Sequence, residues 1–219
     1  MELKGKKIIF LGDSITEGCG TSSQERAYHG ILKERYGLRE IKNYGEGGTR
    51  VARQTEITSL VRDRDFILRA RDMDKDADAV VVFGGTNDFG NGQAALGSID
   101  NYDMRTFYGA LHTLCSLLKE NYAGKPIEFI TPLHRGNEET CIGTWKPDGV
   151  VQHPLKDYVN AVKQVCPLYS ISVLDLFDCE ELTPKGAEWY MEYMPDYVHP
   201  SDSGHAIIAQ KLGELLDQI

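Results

Sequence analysis

Short apolar segments alternate with longer amphipathic ones along this chain, and the alternation limits the folds open to it. Segments with the length and composition of buried strands lie at 7–11, 39–44, 79–83, 127–131 and 171–176. Segments of helical character lie at 26–36, 49–68, 106–121, 155–165 and 201–218, the second of them heavily charged. Strand followed by helix, five times over, predicts an α/β fold in which helices cover both faces of a parallel sheet.

The length of the chain indicates one domain. A domain of 219 residues buries roughly 70% of its unfolded surface, so it needs neither disulfides nor metals to hold a core. No internal repeat or low-complexity linker divides the sequence, and we predict a single domain over 1–219. Ligands of open α/β sheets bind beyond the carboxyl ends of the strands, and functional residues are therefore expected where each predicted strand ends.

Charge and composition disfavour several classes of protein. Asp and Glu number 33 against 24 Lys and Arg, giving a net charge of −9, and non-specific nucleic-acid binding is not expected because it requires cations. The apolar run from Ile8 to Leu11 is shorter than the roughly 7–15 residues of a signal-peptide core. No stretch approaches the roughly 20 apolar residues of a membrane span. Five cysteines without a C-x-x-C spacing fit a reducing compartment, so we expect a cytoplasmic protein.

Polar residues with catalytic potential follow two of the predicted strands. Ser14 comes directly after the first strand, in Gly-Asp-Ser-Ile-Thr at 12–16, where backbone N–H groups of the next element could stabilise an oxyanion. Asn87 follows the third strand in Gly-Gly-Thr-Asn-Asp at 84–88, where its amide could donate to a developing negative charge. Each motif alone is equally compatible with a turn or a helix N-cap.

A carboxylate and an imidazole lie close together near the C-terminus. In Asp196-Tyr-Val-His199-Pro, the carboxylate can reach the His Nδ1, fix its tautomer and leave Nε2 as a base, although a loop salt bridge is the alternative. The second Asp-x-x-His, Asp202 to His205, falls in the predicted last helix. There Asp202 is expected to act as a helix-start acid and His205 as a packing or capping residue.

The combination is more specific than any of its parts. A serine needs a base, the base needs an orienting group and the intermediate needs hydrogen-bond donors. Together with Asn43-Tyr-Gly-Glu-Gly-Gly at 43–48, these blocks resemble those of the SGNH hydrolases, also called the GDSL esterase and lipase family. The resemblance covers almost the whole chain. It implies a flavodoxin-like, three-layer α/β/α sandwich with a five-stranded parallel sheet in the order 2-1-3-4-5.

The resemblance also implies roles for individual residues. Ser14 would be the nucleophile, His199 the base and Asp196 the group that orients it. The oxyanion hole would combine the Ser14 N–H, the Asn87 side chain and a glycine N–H from the second block. Gly48 fits best for that glycine, five residues after Asn43, and Gly47 is the close alternative.

Further residues are candidates for contact with a substrate. Two long loops, 89–103 and 134–152, are expected to wall the site, and Asp13, Arg135 and Trp145 are candidate substrate contacts. Trp145 could stack on a sugar or cover an acyl chain, and it could equally pack within its loop. The alternating aspartates at 72–78 fail the calcium-loop pattern, and the six histidines are dispersed. We therefore predict no metal and no cofactor.

Two functions of different classes follow. The first is a serine ester hydrolase that works through an acyl-enzyme on a small-molecule ester, such as an acetylated carbohydrate. Longer acyl chains, as in lysophospholipases or thioesterases, are the alternative substrates. The second is a non-catalytic ligand-binding protein on the same fold. A homo-oligomer is compatible with either function.

Overall fold

The computed structural model describes residues 2–57, 59–140 and 150–218. All the strands of its five-stranded sheet run parallel, in the order β2-β1-β3-β4-β5. This confirms the α/β class and the order 2-1-3-4-5 expected from the sequence. The strands are β1 (Lys7–Gly12), β2 (Glu40–Gly45), β3 (Ala79–Phe83), β4 (Ile127–Ile130) and β5 (Ser172–Leu174).

Helices connect the strands and cover both faces of the sheet. Those before β4 are α1 (Ser14–Glu17), α2 (Tyr28–Tyr36), α3 (Phe66–Asp72), α4 (Thr86–Gly90) and α5 (Phe107–Asn121). Those after β4 are α6 (Leu155–Val165), α7 (Ala187–Tyr193) and α8 (Asp202–Asp217), with short 3₁₀ turns at Cys166–Tyr169 and Glu180–Leu182. No helix of the described residues is both long and apolar enough to cross a membrane.

The pleat of the strands divides the core into two layers. Because successive side chains point to opposite faces, Ile9 and Leu11 of β1 pack with α3, α5 and α6, while Ile8 and Phe10 pack with α2 and α8. The central strands β1, β3 and β4 are buried along their whole length. The wholly apolar β3 and the run Ile8–Leu11 of β1 show the pattern expected of strands covered on both faces, whereas β4 carries the buried Glu128.

The predicted helix over 49–68 is wrong, because most of this segment is a loop and helix α3 begins only at Phe66. Tertiary hydrogen bonds replace the helical ones. The Asp88 carboxylate accepts the backbone N–H groups of Val51 at 2.9 Å and Ala52 at 2.8 Å. Asp65 then caps α3 by accepting the N–H of Leu68 at 2.8 Å.

Other boundaries differ by a few residues. Helix α2 begins at Tyr28 rather than at residue 26, and β5 covers only Ser172–Leu174 of the strand predicted at 171–176. The short helices α1 and α4 begin within two or three residues of the ends of β1 and β3. These short helices hold the two motifs that the sequence places at strand ends.

We predict that Asp88→Asn destabilises the fold by about 2–4 kcal/mol, because the amide cannot accept both buried N–H groups as the carboxylate does. Urea denaturation measures the change as a lower midpoint. Asp72→Asn is the matched control, since Asp72 is 71% exposed and pairs with Arg64 on the surface; a change within about 0.5 kcal/mol is expected there. Equal midpoints for the two variants would contradict the role of Asp88.

Candidate active site

Ser14 is the first residue of α1, placed there by a tight turn at the end of β1. A side chain at Gly12 would lie 1.9 Å from Thr16 Oγ1, so the turn requires glycine. The Asp13 carboxylate caps the helix by accepting the N–H of Ile15 at 3.0 Å. Ser14 is only 8% exposed, and its Oγ faces the loop that precedes α8.

His199 and Asp196 lie in that loop and form a chain of hydrogen bonds with Ser14. The distance from His199 Nε2 to Ser14 Oγ is 2.9 Å, and that from His199 Nδ1 to Asp196 Oδ2 is 2.6 Å. Asp196 Oδ1 also accepts the N–H groups of Val198 at 2.9 Å and His199 at 2.7 Å. Burial would raise the pKa of Asp196, but the bonds from His199 and Val198 outweigh it and hold that pKa below its usual range.

The backbone between these two residues is held in an unusual conformation. Tyr197 has φ +65°, in the left-handed region that a bulky residue seldom adopts. Its carbonyl accepts the N–H of Gly136 at 2.8 Å. A Cβ at Gly136 would lie 2.5 Å from Tyr197 Cβ, so only glycine allows this approach. The loop after β4 therefore supports the turn that joins Asp196 to His199.

Groups that could donate hydrogen bonds to a ligand lie near Ser14, in the turn after β2 and in α4. The segment Glu46–Thr49 is a turn closed by a bond from the Thr49 N–H to the Glu46 carbonyl at 3.3 Å. Gly47 and Gly48 occupy its centre, and Gly48 has φ +76°, as the third position of a type II turn requires. Asn87 Nδ2 lies 3.1 Å from the Thr49 carbonyl, to which it donates.

Most of the predicted site residues line one cleft of about 490 Å³, at the carboxyl edge of the sheet; Asp196 lies behind His199, to which it bonds. Its described lining includes Ser14, His199, Asn87, Gly47, Gly48 and Arg135. This arrangement can activate a hydroxyl through an imidazole and present N–H donors to an oxyanion. Both glycines line the cleft, so the structure leaves open which of them would donate.

The candidate substrate contacts have different surroundings. Arg135 lines the cleft, and its Nη1 donates to the carbonyl and hydroxyl of Thr86 at 3.1 Å each. The Asp13 side chain is 1% exposed and lies beneath Ser14 rather than among the lining residues. Trp145 lies outside the described residues.

Several lining residues were not identified from the sequence. These are Cys19, Arg62 and Val198, whereas Gly90 and Asn91 belong to the segment 89–103 that was predicted to wall the site. Arg62 lies in the segment that the charge pattern assigned to a helix, so its approach to the cleft follows from the tertiary path of that loop. No local motif marks it.

The second Asp-x-x-His has a different environment, as the sequence predicts. Asp202 lies in the first turn of α8 and accepts the N–H and the hydroxyl of Ser22 at 2.8 and 2.6 Å. His205 is buried against Tyr28, whose backbone N–H donates to His205 Nδ1 at 3.1 Å.

The acidic run at 72–78 is engaged by a lysine. Lys7 Nζ lies 2.8 Å from Asp74 Oδ2 and 3.4 Å from Asp76 Oδ2, and the Lys7 N–H donates to Asp78 at 2.9 Å. Within the described ranges, no group of three His, Cys, Asp or Glu side chains is placed to hold a metal ion.

Asp13 gives the region around Ser14 a pH dependence. Burial raises the pKa of Asp13 to about 6, against the bond from Ile15 and the charge of Arg69. The folded state then binds more protons than the unfolded chain, whose aspartates titrate near about 4. The stability that this group contributes is therefore full below about pH 4 and lost as the pH rises through about 6.

We predict that Asp13→Asn, which keeps the helix cap, becomes more stable relative to the wild type as the pH rises from 4 to 7.5. The gain is on the order of 1–3 kcal/mol and is measured by urea denaturation at the two pH values. Asp202→Asn is the control: the bonds from Ser22 lower the pKa of Asp202, so its stabilising effect is already nearly complete at about pH 4, and its loss of stability should change little over the same range. A pH-independent difference for Asp13→Asn would contradict the prediction.

Known proteins share this fold and these motifs. The model of the GDSL-like Lipase/Acylhydrolase family matches residues 10–207. A protein of solved structure from Lactobacillus plantarum is 30% identical, with a TM-score of 0.80 over 98% of each chain. A structure described as a possible lipase from Chitinophaga pinensis is 25% identical, with a TM-score of 0.68 over 97% of this chain and 98% of that one.

A more distant structure shares the fold alone. A salicylyl acyltransferase from a tetracycline biosynthetic pathway is 22% identical, with a TM-score of 0.64 over 95% of this chain and 53% of that one. No curated protein sequence matches the chain. The family match extends from β1 into α8 and includes both Ser14 and His199. The chain therefore belongs to the GDSL-like lipase/acylhydrolase family.

Proposed function

We propose that this protein is a serine ester hydrolase that works through an acyl-enzyme on short acyl esters. The observation that carries the proposal is the pair of hydrogen bonds from Ser14 Oγ to His199 Nε2, 2.9 Å, and from His199 Nδ1 to Asp196 Oδ2, 2.6 Å. A serine, an imidazole and a carboxylate in this order are what nucleophilic acyl transfer requires. Membership of an acylhydrolase family supports the same chemistry.

The first half-reaction forms the acyl-enzyme. His199 Nε2 takes the proton of Ser14 Oγ as that oxygen bonds to the ester carbonyl carbon, and the carbonyl π electrons move onto oxygen. The N–H of Ser14, that of Gly48 or Gly47, and Asn87 Nδ2 hold the oxyanion. The intermediate collapses, the bond to the alcohol breaks, and His199 returns the proton to the leaving oxygen.

The second half-reaction repeats these steps with water. His199 removes a proton from the water, whose oxygen attacks the acyl carbon. The bond to Ser14 then breaks, His199 returns the proton to Ser14 Oγ, and the acid leaves. Asp196 accepts the Nδ1–H throughout, and its negative charge stabilises the imidazolium that forms in each step.

The described cleft favours a short acyl group. Its volume of about 490 Å³ is shared by polar side chains such as Asn91, Arg62 and Arg135. A long acyl chain would need an extended apolar wall, because each buried CH₂ stabilises binding by about 0.8 kcal/mol only where it meets apolar surface. Acetyl or similarly small groups on a polar alcohol, such as a carbohydrate, fit this lining.

The test is hydrolysis of 4-nitrophenyl esters from acetate to palmitate. We expect the wild type to prefer the acetate, and Ser14→Ala to lose nearly all turnover because the variant lacks the hydroxyl that is hydrogen-bonded to His199 and would carry the acyl group. Ser116→Ala is the matched control, since Ser116 is exposed in the middle of α5 and should leave the rate unchanged. Acetate turnover that survives in folded Ser14→Ala would disprove the mechanism, and preference for long esters would disprove the chain length.

We also predict that Asn87→Ala lowers kcat by about 10²–10³ and changes KM little, because an oxyanion donor acts mainly in the transition state. Steady-state kinetics on the preferred ester separate the two constants, and circular dichroism checks that the variant is folded. A raised KM with an unchanged kcat would show instead that Asn87 binds the ground state.

A further inference from the structure

Cationic side chains line the cleft although the chain as a whole is acidic. Of the described residues that line it, the two with a permanent charge are Arg62 and Arg135, while the whole chain has a net charge of −9. Carboxylates lie nearby without lining the cleft: Asp196 bonds to His199, and Glu17 lies beside Gly47 and Cys19. Burial and the charges of Glu17, Asp13 and Asp196 together raise the pKa of the Cys19 thiol. Walls of one charge raise the local concentration of an oppositely charged substrate.

Arg62 lies directly against the turn Glu46–Thr49, which contains Gly48. A Cβ on Gly48 would lie 3.1 Å from Arg62 Cδ and 3.3 Å from Arg62 Nε, so the side chain passes over the Gly48 backbone. Arg62 forms a salt bridge with none of the described carboxylates. Arg62 is a solvent-exposed residue that lines the cleft, in contrast to Arg64, which pairs with Asp72 at 3.0 Å.

Several hydrogen bonds, of which the Arg50–Asp63 pair is buried, hold the segment that carries Arg62. The Arg50 guanidinium pairs with the buried Asp63 carboxylate at 2.6 Å and donates to the Arg62 carbonyl at 3.3 Å. Asp63 also accepts the N–H of Ser59 at 2.7 Å, and Ser59 Oγ accepts the N–H of Arg62 at 3.2 Å. A fixed backbone lowers the entropy lost when a side chain binds a ligand.

We propose that Arg62 binds an anionic group of the substrate, a carboxylate or a phosphate, so that the preferred ester is negatively charged. A guanidinium offers several N–H donors in a planar fork that matches both groups. Arg135, held by Thr86 on the cleft wall, adds to the same potential. This inference rests on the proposed ester hydrolysis, and it names the substrate class for that same site.

The test compares matched acetate esters in four proteins. The esters are 3-carboxyphenyl acetate, its neutral methyl ester and 3-acetoxyphenyl phosphate. The proteins are the wild type, Arg62→Gln, Arg62→Lys and the control Arg64→Gln. The measured quantity is the ratio of kcat/KM for each charged ester to that for the neutral one. Because the same esters are used throughout, differences between their leaving groups cancel between variants.

We expect the wild type to favour at least one charged ester, and the ratio to fall about tenfold or more in Arg62→Gln, the size of one charge-assisted hydrogen bond. Arg62→Lys should keep part of the preference, and Arg64→Gln all of it. Added salt should lower the ratio in the wild type. Preference for the carboxylate or for the phosphate ester identifies which anion is bound. A ratio unchanged between wild type and Arg62→Gln would overturn the proposal.

Binding to an inactive protein separates this inference from the proposed function. Calorimetry on Ser14→Ala, with and without Arg62→Gln, compares 3-hydroxybenzoate and 3-hydroxyphenyl phosphate with methyl 3-hydroxybenzoate. Tighter binding of an anion that disappears with Arg62 supports the site whether or not the wild type hydrolyses these esters. Equal affinity for charged and neutral ligands overturns it, even if hydrolysis of the neutral ester proves to depend on Ser14.

Discussion

A buried guanidinium joins the elements from which the carboxyl edge of the sheet is built. Arg69 of α3 donates to the carbonyls of Tyr44 at 2.6 Å and Gly12 at 2.9 Å, and to Thr49 Oγ1 at 2.8 Å. Tyr44 is the penultimate residue of β2, Gly12 is the last residue of β1, and Thr49 directly follows Gly48. A buried charge is costly unless it is paired and hydrogen-bonded. The three segments that supply these acceptors are therefore held in place around the guanidinium. Burial still lowers the pKa of Arg69 to about 10, with Glu46 and Asp13 opposing the shift.

The same edge is tied to α4 by two consecutive residues. Asn87 donates to the Thr49 carbonyl, while Asp88 accepts the N–H groups of Val51 and Ala52. The turn that contains Gly48 and the helix that contains Asn87 are therefore one hydrogen-bonded unit. Donors held in advance stabilise an oxyanion without the cost of reorganisation, and here their placement follows from backbone bonds that also stabilise the fold.

The parts of the fold and of the candidate site that could be predicted from the sequence are those marked by a local apolar pattern or a short motif. The strands β1, β3 and β4 can be predicted from their mainly apolar sequences, because both faces of these strands are buried. The residues Ser14, Asn87, Asp196 and His199 can be predicted because each stands in a short motif. The path of the segment 49–65 could not be predicted from a local pattern or motif. Its bonds join residues 37 and 36 apart in sequence, as between Asp88 and Val51 or Ala52, and its alternating charges mimic a helix surface. The place of Arg62 beside Gly48 was hidden for the same reason.

The two Asp-x-x-His sequences show that environment, rather than spacing, decides what such a motif does. Asp196 bonds to His199 Nδ1 and directs Nε2 towards Ser14. Asp202 bonds to Ser22 instead, and His205 Nδ1 accepts the Tyr28 N–H, so the neutral ring carries its proton on Nε2. Burial lowers the pKa of His205 to about 4, and protonation would also remove that acceptor. His205 therefore anchors α8 to the start of α2, whereas His199 Nε2 lies within hydrogen-bond distance of Ser14 Oγ, as the proposed proton transfer requires.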